Sequence, residues 1–445
     1  MKPQPAKRIF LVSLGCARNQ VDSELMLGKF SDSGWTVVGT PEDAAVIVIN
    51  TCSFIESAAS ESIDTILEMA GYKKDGSCRK LVVTGCLPER YREQICAELP
   101  EVDLFLGTGA YDDILRVIER PVEKGTCLLP DPDAITSQRP GSPRILAAGS
   151  AMAYLKIAEG CSRSCTYCII PRLRGRQKSR PMADIISEAG LLAAKGVKEV
   201  VLVAQDTTFY GRDIGLKQGL AKLLEGLATA FPDLWIRFLY GHPESIEPAV
   251  FEVAAGYSNV CSYFDIPIQH GSDRVLKRMG RHYTSEDLSA LFDGIRLTVP
   301  GAALRTTIIT GFPGETEKDF ETLSAFIRRV RFDHLGVFTY SDLEDLPSHK
   351  LPDHVPEQLA MERQDRLMSL QLDISMENNR QRRGMEVDVL VEDNPESDVF
   401  IGRTMFQAPE VDGLTILHAD NIEKGTLVRA RIEDSLEYDL IGKVL

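Results

Sequence analysis

The chain lacks any run of about twenty apolar residues, the length that a membrane-spanning helix needs. It also lacks a small-residue cleavage site behind its first apolar stretch, RIFLVSL, as an export signal would require. Basic residues are in deficit, because 50 Lys and Arg stand against 65 Asp and Glu, for a net charge of −15. This balance argues against broad, nonspecific nucleic-acid binding. We therefore expect a cytoplasmic protein with no membrane partner.

Several motifs and patterns are missing as well. There is no Gly-x-x-x-x-Gly-Lys phosphate-binding loop, no His-Glu-x-x-His metalloprotease motif, no internal repeat and no low-complexity tract. What the sequence does have is 44% hydrophobic residues, enough to fill real cores, and ten cysteines. In a large cytoplasmic chain, cysteines favour metal ligation over disulfides.

At 445 residues the chain is too long for one ordinary domain, and three regions differ in pattern. In residues 7–140, near-continuous apolar runs alternate with helical periodicity, which predicts a parallel α/β domain covered on both faces. Its predicted strands are 8–14, 45–50, 81–84 and 102–106. A proline-rich stretch, 121–150, is predicted to be a linker.

Residues 147–380 resume the βα alternation and end in one amphipathic helix, 356–382. Six βα units predict an α/β fold of the partial (βα)6 barrel type. The predicted strands are 152–158, 198–204, 234–240, 262–268, 302–310 and 334–340. Residues 383–445 contain five short alternating runs, which predict a small β-barrel.

Three cysteines are packed into eight residues at Cys161, Cys165 and Cys168. They follow the first predicted barrel strand, so they belong to the carboxyl end, where barrel active sites are built. Three thiolates without a fourth Cys or His nearby suit a 4Fe–4S cluster with one open iron, whereas a structural zinc normally has four protein ligands. Zinc and buried structural cysteines are the alternatives.

A second set of three cysteines, Cys16, Cys52 and Cys86, is spread over seventy residues, but each follows a strand-like run. Because the carboxyl ends of parallel strands share one edge of a sheet, these three thiols can meet. The alternative is three buried cysteines that only pack. The other four lack this placement and are assigned to packing: Cys78, Cys96, Cys127 and Cys261.

The Cys-x-x-x-Cys-x-x-Cys motif, with an aromatic residue before the last cysteine, resembles that of radical S-adenosylmethionine enzymes. The resemblance implies that the amino and carboxylate groups of S-adenosylmethionine chelate the open iron, and that reductive cleavage yields a 5′-deoxyadenosyl radical. It also implies a reductant protein such as flavodoxin or ferredoxin. By the same resemblance Tyr167 packs near the adenine; an ordinary core aromatic is the alternative.

The whole chain resembles the methylthiotransferases, which join a three-cysteine domain, a radical S-adenosylmethionine barrel and a small β-barrel called TRAM. This implies two 4Fe–4S clusters, the second carrying or donating sulfur, together with S-adenosylmethionine. The cofactors would carry the difficult chemistry, while the protein positions and shields them. Beyond the cluster ligands we assign no catalytic residue.

Several motifs resemble the family branch that modifies the β-carbon of an aspartate in ribosomal small-subunit protein twelve. They are SLGCARNQVDSELM, NTCSFIESAASESIDTI, GCLPERY, QHGSDRVLKRMGR and APEVDG. Independently, residues 384–445 contain 14 Asp and Glu but only 5 Lys and Arg. Such a domain suits a basic partner, free or within the ribosome, better than tRNA, although acidity can also serve solubility alone. A tRNA adenosine methylthiotransferase and a non-catalytic iron–sulfur carrier stay open as alternatives.

Further candidate positions rest on strand ends and on the resemblance. Gln205 and Asp206 follow the second barrel strand, where the resemblance suggests contact with the methionine or ribose of the cofactor; a strand-end cap is the alternative. Arg305 and the run 310–315 match the family at the end of strand five and are assigned to cofactor binding and to a turn or cap. Residues 340–347 depart from the family's Glu-Glu-Gly-Thr, so nothing is inferred for that loop. The basic segment 172–180 is either a solvated loop or a grip on an anion.

Overall fold

The computed structural model describes residues 7–120, 123–134, 141–147 and 149–445. Contacts within it group these residues into two units. The first unit holds the described part of 1–147 together with Ala158–Arg163 and Cys168–Arg180. The second holds the described part of 148–157 with Ser164–Tyr167 and Pro181–Leu445. The domain boundaries drawn from the sequence, 7–140, 147–380 and 383–445, stay predictions.

A six-stranded parallel sheet forms the middle of the first unit, in the order β2-β1-β3-β4-β5-β6. Every residue of its central strand is buried, as expected when helices cover both faces of a sheet. The predicted parallel α/β fold is therefore confirmed. The strands are β1 (Arg8–Ser13), β2 (Thr36–Val37), β3 (Val46–Thr51), β4 (Lys80–Gly85), β5 (Leu104–Leu106) and β6 (Thr126–Leu128).

Helices connect these strands and pack their apolar faces on the sheet. Ile66 of the second helix and Leu87 of the third lie fully buried in one cluster with Ile47, Leu81 and Phe105 of the sheet. The unit also contains a short antiparallel pair, β8 (Ala158–Glu159) with β9 (Lys178–Ser179). Its helices are α1 (Ala17–Asp32), α2 (Glu56–Asp75), α3 (Cys86–Tyr91), α4 (Gln94–Glu98), α5 (Ile114–Ile118) and α6 (Ile170–Arg174).

The linker predicted at 121–150 is wrong where the chain adds strand β6 to the sheet edge, pairing with β5. Three residues are too short to show a strand period among prolines and glycines, which explains the error. Residues 121–122, 135–140 and 148 of that stretch lie outside the described residues. A second correction concerns Cys96 and Cys127: the structure joins them in a disulfide, so they are not merely packing residues.

Six parallel strands of the second unit form the partial barrel that the sequence predicts. Two three-stranded sheets, β11-β10-β7 and β12-β13-β14, are connected by a parallel bridge between Ile236 and Val260. The strands are β7 (Met152–Lys156), β10 (Glu199–Val203), β11 (Trp235–Phe238), β12 (Tyr263–Asp265), β13 (Ala303–Thr310) and β14 (His334–Thr339).

Helices follow these strands and surround them. Two begin with capping boxes, at Thr284 with Asp287 and at Thr316 with Asp319, which satisfy backbone N–H groups at the helix start. None of the described helices is long and apolar enough to cross a membrane. They are α7 (Met182–Ala194), α8 (Gly219–Ala230), α9 (Pro248–Gly256), α10 (Asp273–Arg278), α11 (Ser285–Thr298), α12 (Glu317–Val330) and the long α13 (Glu357–Gln381).

The C-terminal region forms a closed barrel in the order β15-β16-β17-β19-β18, confirming the predicted small β-barrel. Its inner residues include Val389, Val391 and Leu417, which are fully buried. The strands are β15 (Glu386–Glu396), β16 (Val399–Arg403), β17 (Thr415–His418), β18 (Leu427–Ser435) and β19 (Leu440–Val444).

Buried charges attach this small barrel to the amino ends of the larger barrel's strands. Glu199 begins β10, and its carboxylate accepts hydrogen bonds from Arg237 at 2.7 Å and from Arg403 at 2.6 Å. Asp412 accepts one from the hydroxyl of Tyr263 at 2.6 Å. All of these side chains are nearly or fully inaccessible to water, so the joint is a fixed part of the fold.

Candidate functional site

Cys16, Cys52 and Cys86 lie at one edge of the six-stranded sheet. Strand register pairs Ser13 with Asn50, and Thr51 with Gly85. Cys52 and Cys86 therefore follow directly on neighbouring strands, and Cys16 lies three residues beyond β1. The predicted placement at the carboxyl edge is confirmed.

Two glycines allow the chain to turn closely around these cysteines. Gly15 has a φ of +90°, and a Cβ there would lie 2.7 Å from the Cβ of Cys52. Gly85 has a φ of +98°, and a Cβ there would lie 2.6 Å from the carbonyl oxygen of Thr51. Only glycine suits both positions, because each combines a left-handed backbone with no space for a side chain.

Hydrogen bonds hold the loops that carry the thiols. The side-chain amide of Asn19 donates to the carbonyls of Leu14 and Thr51, both at 2.9 Å. The Ser62 hydroxyl donates to the Cys52 carbonyl at 2.8 Å and accepts from the Cys52 N–H at 3.1 Å. Buried polar groups that are satisfied in this way fix a single loop geometry.

The three thiols differ in acidity. Burial raises the pKa of Cys86 to about 11, against the opposing charge of Arg174, and burial likewise raises the pKa of Cys52. Burial is the largest single influence on Cys16 and would raise its pKa, but the charges of Arg18 and Arg174, together with hydrogen bonds from the backbone of Asn19 and Arg18, outweigh it, so that pKa falls below its ordinary value. Cys16 further occupies the N-cap of α1, where the helix dipole favours a thiolate.

The donor set fits a cluster better than a single ion. The thiols are close enough for the charge on Cys16 to raise the pKa of Cys52, and for both to raise that of Cys86, although burial is the larger cause in each case. A zinc ion requires its donors to converge to about 2.3 Å from one point. Among the residues that the structure describes, no three His, Cys, Asp or Glu side chains are grouped to hold a metal ion. Three thiols without a fourth donor suit an iron–sulfur cube held by three corners.

The other cysteine triplet begins five residues after the end of β7, as the sequence predicts. In the first unit, the N–H of Cys161 donates to the carbonyl of Gly175 at 2.9 Å. Cys168 precedes α6 in the same unit. In the second unit, Cys165 lies near Arg281, close enough for a negative charge on its sulfur to raise the pKa of the guanidinium. That these three cysteines hold the first cluster stays a prediction.

Tyr167 packs among aromatic and cationic groups in the second unit. Its phenol oxygen accepts N–H donors of Arg281 at 2.5 and 3.1 Å, and its ring meets Phe312 edge-on at 6.2 Å. The preceding residue is fixed by a bond from the Thr166 N–H to the Met279 carbonyl at 3.0 Å. Arg281 belongs to the motif QHGSDRVLKRMGR, but nothing in the sequence alone pairs it with Tyr167. Contact between Tyr167 and an adenine stays a prediction.

Gln205 and Asp206 follow β10 at its carboxyl end, where the sequence places them. The Asp206 carboxylate accepts the Phe209 N–H at 3.1 Å and the Thr208 hydroxyl at 2.7 Å. It therefore acts as the cap of a short turn, which was the alternative interpretation. A role of either residue in holding the cofactor stays a prediction.

Arg305 is not at the end of its strand, and that part of the prediction is wrong. It is the third residue of β13 and pairs in register with His334, the first residue of β14. Its guanidinium contacts Asp265 at 2.9 Å and Asp412 at 3.4 Å. These ion pairs give Arg305 a place in the joint at the amino end, and a role of Arg305 in cofactor binding stays a prediction.

Glu315 closes the turn that follows β13. Its carboxylate accepts the N–H of Gly311 at 2.8 Å and a bond from Arg363 at 3.0 Å. Burial raises the pKa of Glu315 to about 7, against the effect of Arg363. The run 310–315 is thus a capped turn, as its glycines and proline indicate.

Comparison with known proteins places the chain in a family. Models for an uncharacterized protein family (UPF0004), the radical SAM superfamily and the TRAM domain match residues 8–107, 155–327 and 384–445. The ribosomal protein uS12 methylthiotransferase RimO of Desulfosudis oleivorans is 53% identical over 441 residues, covering 98% of this chain and 99% of that protein. The protein of the same name from Clostridioides difficile is 47% identical, covering 98% and 99%. This chain belongs to the uS12 methylthiotransferase family.

Membership of the uS12 methylthiotransferase family confirms that the chain is a transferase with a radical S-adenosylmethionine domain, a 4Fe–4S cluster and a TRAM barrel. Among solved structures, the methyltransferase TsrM of Kitasatospora setae is similar with a TM-score of 0.56 at 14% identity, covering 86% of this chain and 76% of TsrM. The radical enzyme OxsB is similar with a TM-score of 0.52 at 14% identity, covering 82% and 56%. At these identities the likeness supports the fold.

Proposed function

We propose that this protein transfers a methylthio group to the β-carbon of an aspartate in ribosomal protein uS12. Cys161, Cys165 and Cys168 hold one 4Fe–4S cluster in this proposal, and a second is held by Cys16, Cys52 and Cys86. The observation that carries the proposal is the placement of the second three cysteines at the ends of neighbouring strands, along one sheet edge. It occurs in a chain that is 53% identical to a uS12 methylthiotransferase over almost its whole length.

When bound, the clusters and S-adenosylmethionine supply the radical chemistry and the sulfur. The protein's own residues position these groups. The pair of Tyr167 and Arg281 fixes the segment that carries Cys165. We assign Gln205 and Asp206, which follow the carboxyl end of β10, to contact with the methionine or ribose of S-adenosylmethionine.

The charge of the small barrel supports a basic protein substrate. Residues 384–445 contain 14 acidic and 5 basic residues. Four of those basic residues are held in ion pairs with neighbouring carboxylates, so they do not form a surface for phosphate groups. They are Arg403, Lys424, Arg429 and Arg431. An acidic surface of this kind steers a basic partner such as uS12, free or in the ribosome, and disfavours tRNA.

Two further parts of the proposal follow from the substrate and the chemistry. A ribosomal protein places the reaction in the cytoplasm. Reductive cleavage of S-adenosylmethionine needs an electron, and a small reductant protein such as flavodoxin or ferredoxin is the proposed source.

Mass spectrometry of uS12 tests the proposal. Cells that express this protein in a background without the endogenous enzyme should yield uS12 heavier by one methylthio group in place of hydrogen, located on an aspartate. Cells that express Cys161→Ala should yield unmodified uS12. Unmodified uS12 in both strains would contradict the proposal, and a methylthio group found on tRNA instead would favour the tRNA-modifying alternative.

A chromatographic assay separates an enzyme from an iron–sulfur carrier. The reduced protein incubated with S-adenosylmethionine should release 5′-deoxyadenosine, and Cys161→Ala should not. Absence of this product from the wild-type protein with its clusters loaded would favour the carrier.

A further inference from the structure

One arginine of the basic segment 172–180 is buried beside the second set of cysteines. Arg174, the last residue of α6, is 3% exposed, whereas its neighbours Arg172 and Arg176 are exposed. The segment is therefore not wholly a solvated loop, since Arg180 is also buried, and a grip on an anion by its other residues stays a prediction. The side chain of Arg174 points into the protein interior, where it carries a buried positive charge.

The guanidinium of Arg174 is surrounded by groups from the cysteine edge. Its Nη2 lies 3.7 Å from the Sγ of Cys86 and 2.5 Å from the Oδ1 of Asn19. Its Nη1 contacts Asp22 at 2.9 Å and Glu159 at 3.4 Å. One side chain thus joins α1, the β8 hairpin and the thiol that follows β4.

The carboxylates account for the burial of this charge, but not for its contact with sulfur. A buried guanidinium needs opposite charge nearby, and Asp22 and Glu159 provide it. The remaining donor faces Cys86, whose neutral thiol is a weak acceptor, whereas a thiolate or a cluster sulfur is a strong one. The arrangement is thus better matched to a cluster-bound sulfur than to a free thiol.

The next residue holds the other cysteine loop. The carbonyl of Gly175 accepts the N–H of Cys161 at 2.9 Å. Gly175 has a φ of +70°, and a Cβ there would lie 2.6 Å from a carboxylate oxygen of Asp133. Arg174 and Gly175 therefore position groups at Cys86 and at Cys161 through one peptide unit.

We propose that Arg174 is a positioning residue for the second cluster: its guanidinium donates a hydrogen bond to the sulfur of Cys86 and raises the cluster's reduction potential. This inference rests on the proposed function, because it requires a cluster on Cys16, Cys52 and Cys86. Reduction adds negative charge to a cluster, so a nearby cation and an N–H donor to sulfur stabilise the reduced form.

The test is a potentiometric titration followed by electron paramagnetic resonance. It uses the full chain with reconstituted clusters, and Cys161→Ala identifies the spectrum of the second cluster. In Arg174→Gln we expect at least a tenfold drop in the ratio of reduced to oxidised second cluster at a fixed potential, about 59 mV for one electron. Arg174→Lys keeps the charge but not the planar fork and should fall between that variant and the wild type. Arg176→Gln, an exposed neighbour, is the control and should not differ from the wild type.

Iron analysis separates failure of this inference from failure of the proposed function. Wild-type protein with only about four irons would refute the second cluster and with it the proposed function. Wild-type protein with about eight irons, and an Arg174→Gln midpoint equal to that of Arg176→Gln, would overturn this inference alone.

Folding is addressed by a second variant. Arg174→Gln removes the ion pair with the buried carboxylate of Asp22, so Arg174→Gln/Asp22→Asn removes that negative charge as well. The double variant should retain both clusters and show the same shift to lower potential. Loss of the second cluster from both this variant and Arg174→Lys would contradict the proposal that Arg174 sets the reduction potential of that cluster. Arg174 would then be a structural residue.

Discussion

Buried arginines at two places in the molecule differ in what surrounds the guanidinium. At the joint of the second unit, Arg237 and Arg403 share Glu199, and their other donors reach the backbone carbonyls of Met405 and Gln407 at 2.9 and 3.1 Å. At the cysteine edge of the first unit, Arg174 also has carboxylate partners, but one donor faces the sulfur of Cys86.

This difference separates buried arginines that stabilise the fold from one that lies at a candidate cofactor site. Around Glu199 the hydrogen-bond partners of the two arginines are carboxylates and carbonyls, although the thiol of Cys261 also lies near Arg237. These buried charges lie at the amino ends of barrel strands, where residues serve stability. Around Arg174 the partners include a thiol at the carboxyl edge of a parallel sheet, where α/β proteins bind their ligands. A buried arginine by itself therefore indicates no function. The chemical group to which its guanidinium donates a hydrogen bond is what indicates one.

The largest expected effect comes from removing the carboxylate that the buried arginines share at the joint of the second unit. Glu199→Gln leaves two buried guanidinium groups without their shared carboxylate, and should lower the free energy of unfolding by about 3–5 kcal/mol. Chemical denaturation measures this. Asp388→Asn, which breaks an exposed pair with Arg429, is the matched control and should cost less than about 1 kcal/mol. Equal costs for the two variants would contradict the distinction between buried and exposed pairs.

A smaller effect is expected from loosening the same joint at Asp412. Its carboxylate accepts the Tyr263 hydroxyl at 2.6 Å and the Ala408 N–H at 2.8 Å, and it contacts Arg305. Asp412→Asn keeps the shape but removes the charge, and should destabilise the protein by about 1–3 kcal/mol.

The same variant tests the role of Arg305. Because the joint lies at the amino end of β13, binding of S-adenosylmethionine to Asp412→Asn, measured by calorimetry on the cluster-loaded protein, should match that of the wild type. A large loss of binding without loss of stability would return Arg305 to the cofactor site.

A pH-dependent effect is expected beside a fourth buried arginine, Arg363, which pairs with Glu315 at 3.0 Å. His270 lies 3.7 Å from Glu315, and burial lowers the pKa of His270 to about 3. The folded protein holds this ring neutral while the unfolded chain protonates it near pH 6.5, so its contribution to stability is complete above that pH and is lost on acidification. Between pH 6 and pH 4 the loss should approach about 1.4 kcal/mol per pH unit.

Denaturation at several pH values, with His270→Asn beside the wild type, measures this contribution. Asparagine can still accept the Ser272 N–H that now donates to Nδ1 of His270 at 2.9 Å. The wild type should lose stability relative to the variant as the pH falls. Parallel curves for the two proteins would show that His270 is not held neutral.

Much of the fold could be predicted from the sequence, because hydrophobic periodicity determines which segments are strands and parallel strands share one edge. The positions of Cys16, Cys52 and Cys86 followed from that rule alone. Arg174 could not be assigned, because its contacts with Asn19 and Asp22 join residues more than 150 apart in the chain. The ion pairs of Arg305 with Asp265 and Asp412 likewise could not be predicted, because they join residues far apart in the chain.

Two other features had no local pattern to reveal them. Strand β6 is three residues long, and its pairing with β5 is determined by the existing sheet edge. The disulfide of Cys96 with Cys127 depends on that strand, which brings Cys127 to the first unit's core beside Cys96. Both are consequences of tertiary structure.

The central claim is that each set of three thiols holds its own 4Fe–4S cluster, and anaerobic iron and sulfide analysis tests it most directly. Wild-type protein should contain about eight irons, and Cys16→Ala and Cys161→Ala should each lose about four. Wild-type protein with about four irons, or with zinc in place of iron, would contradict the account.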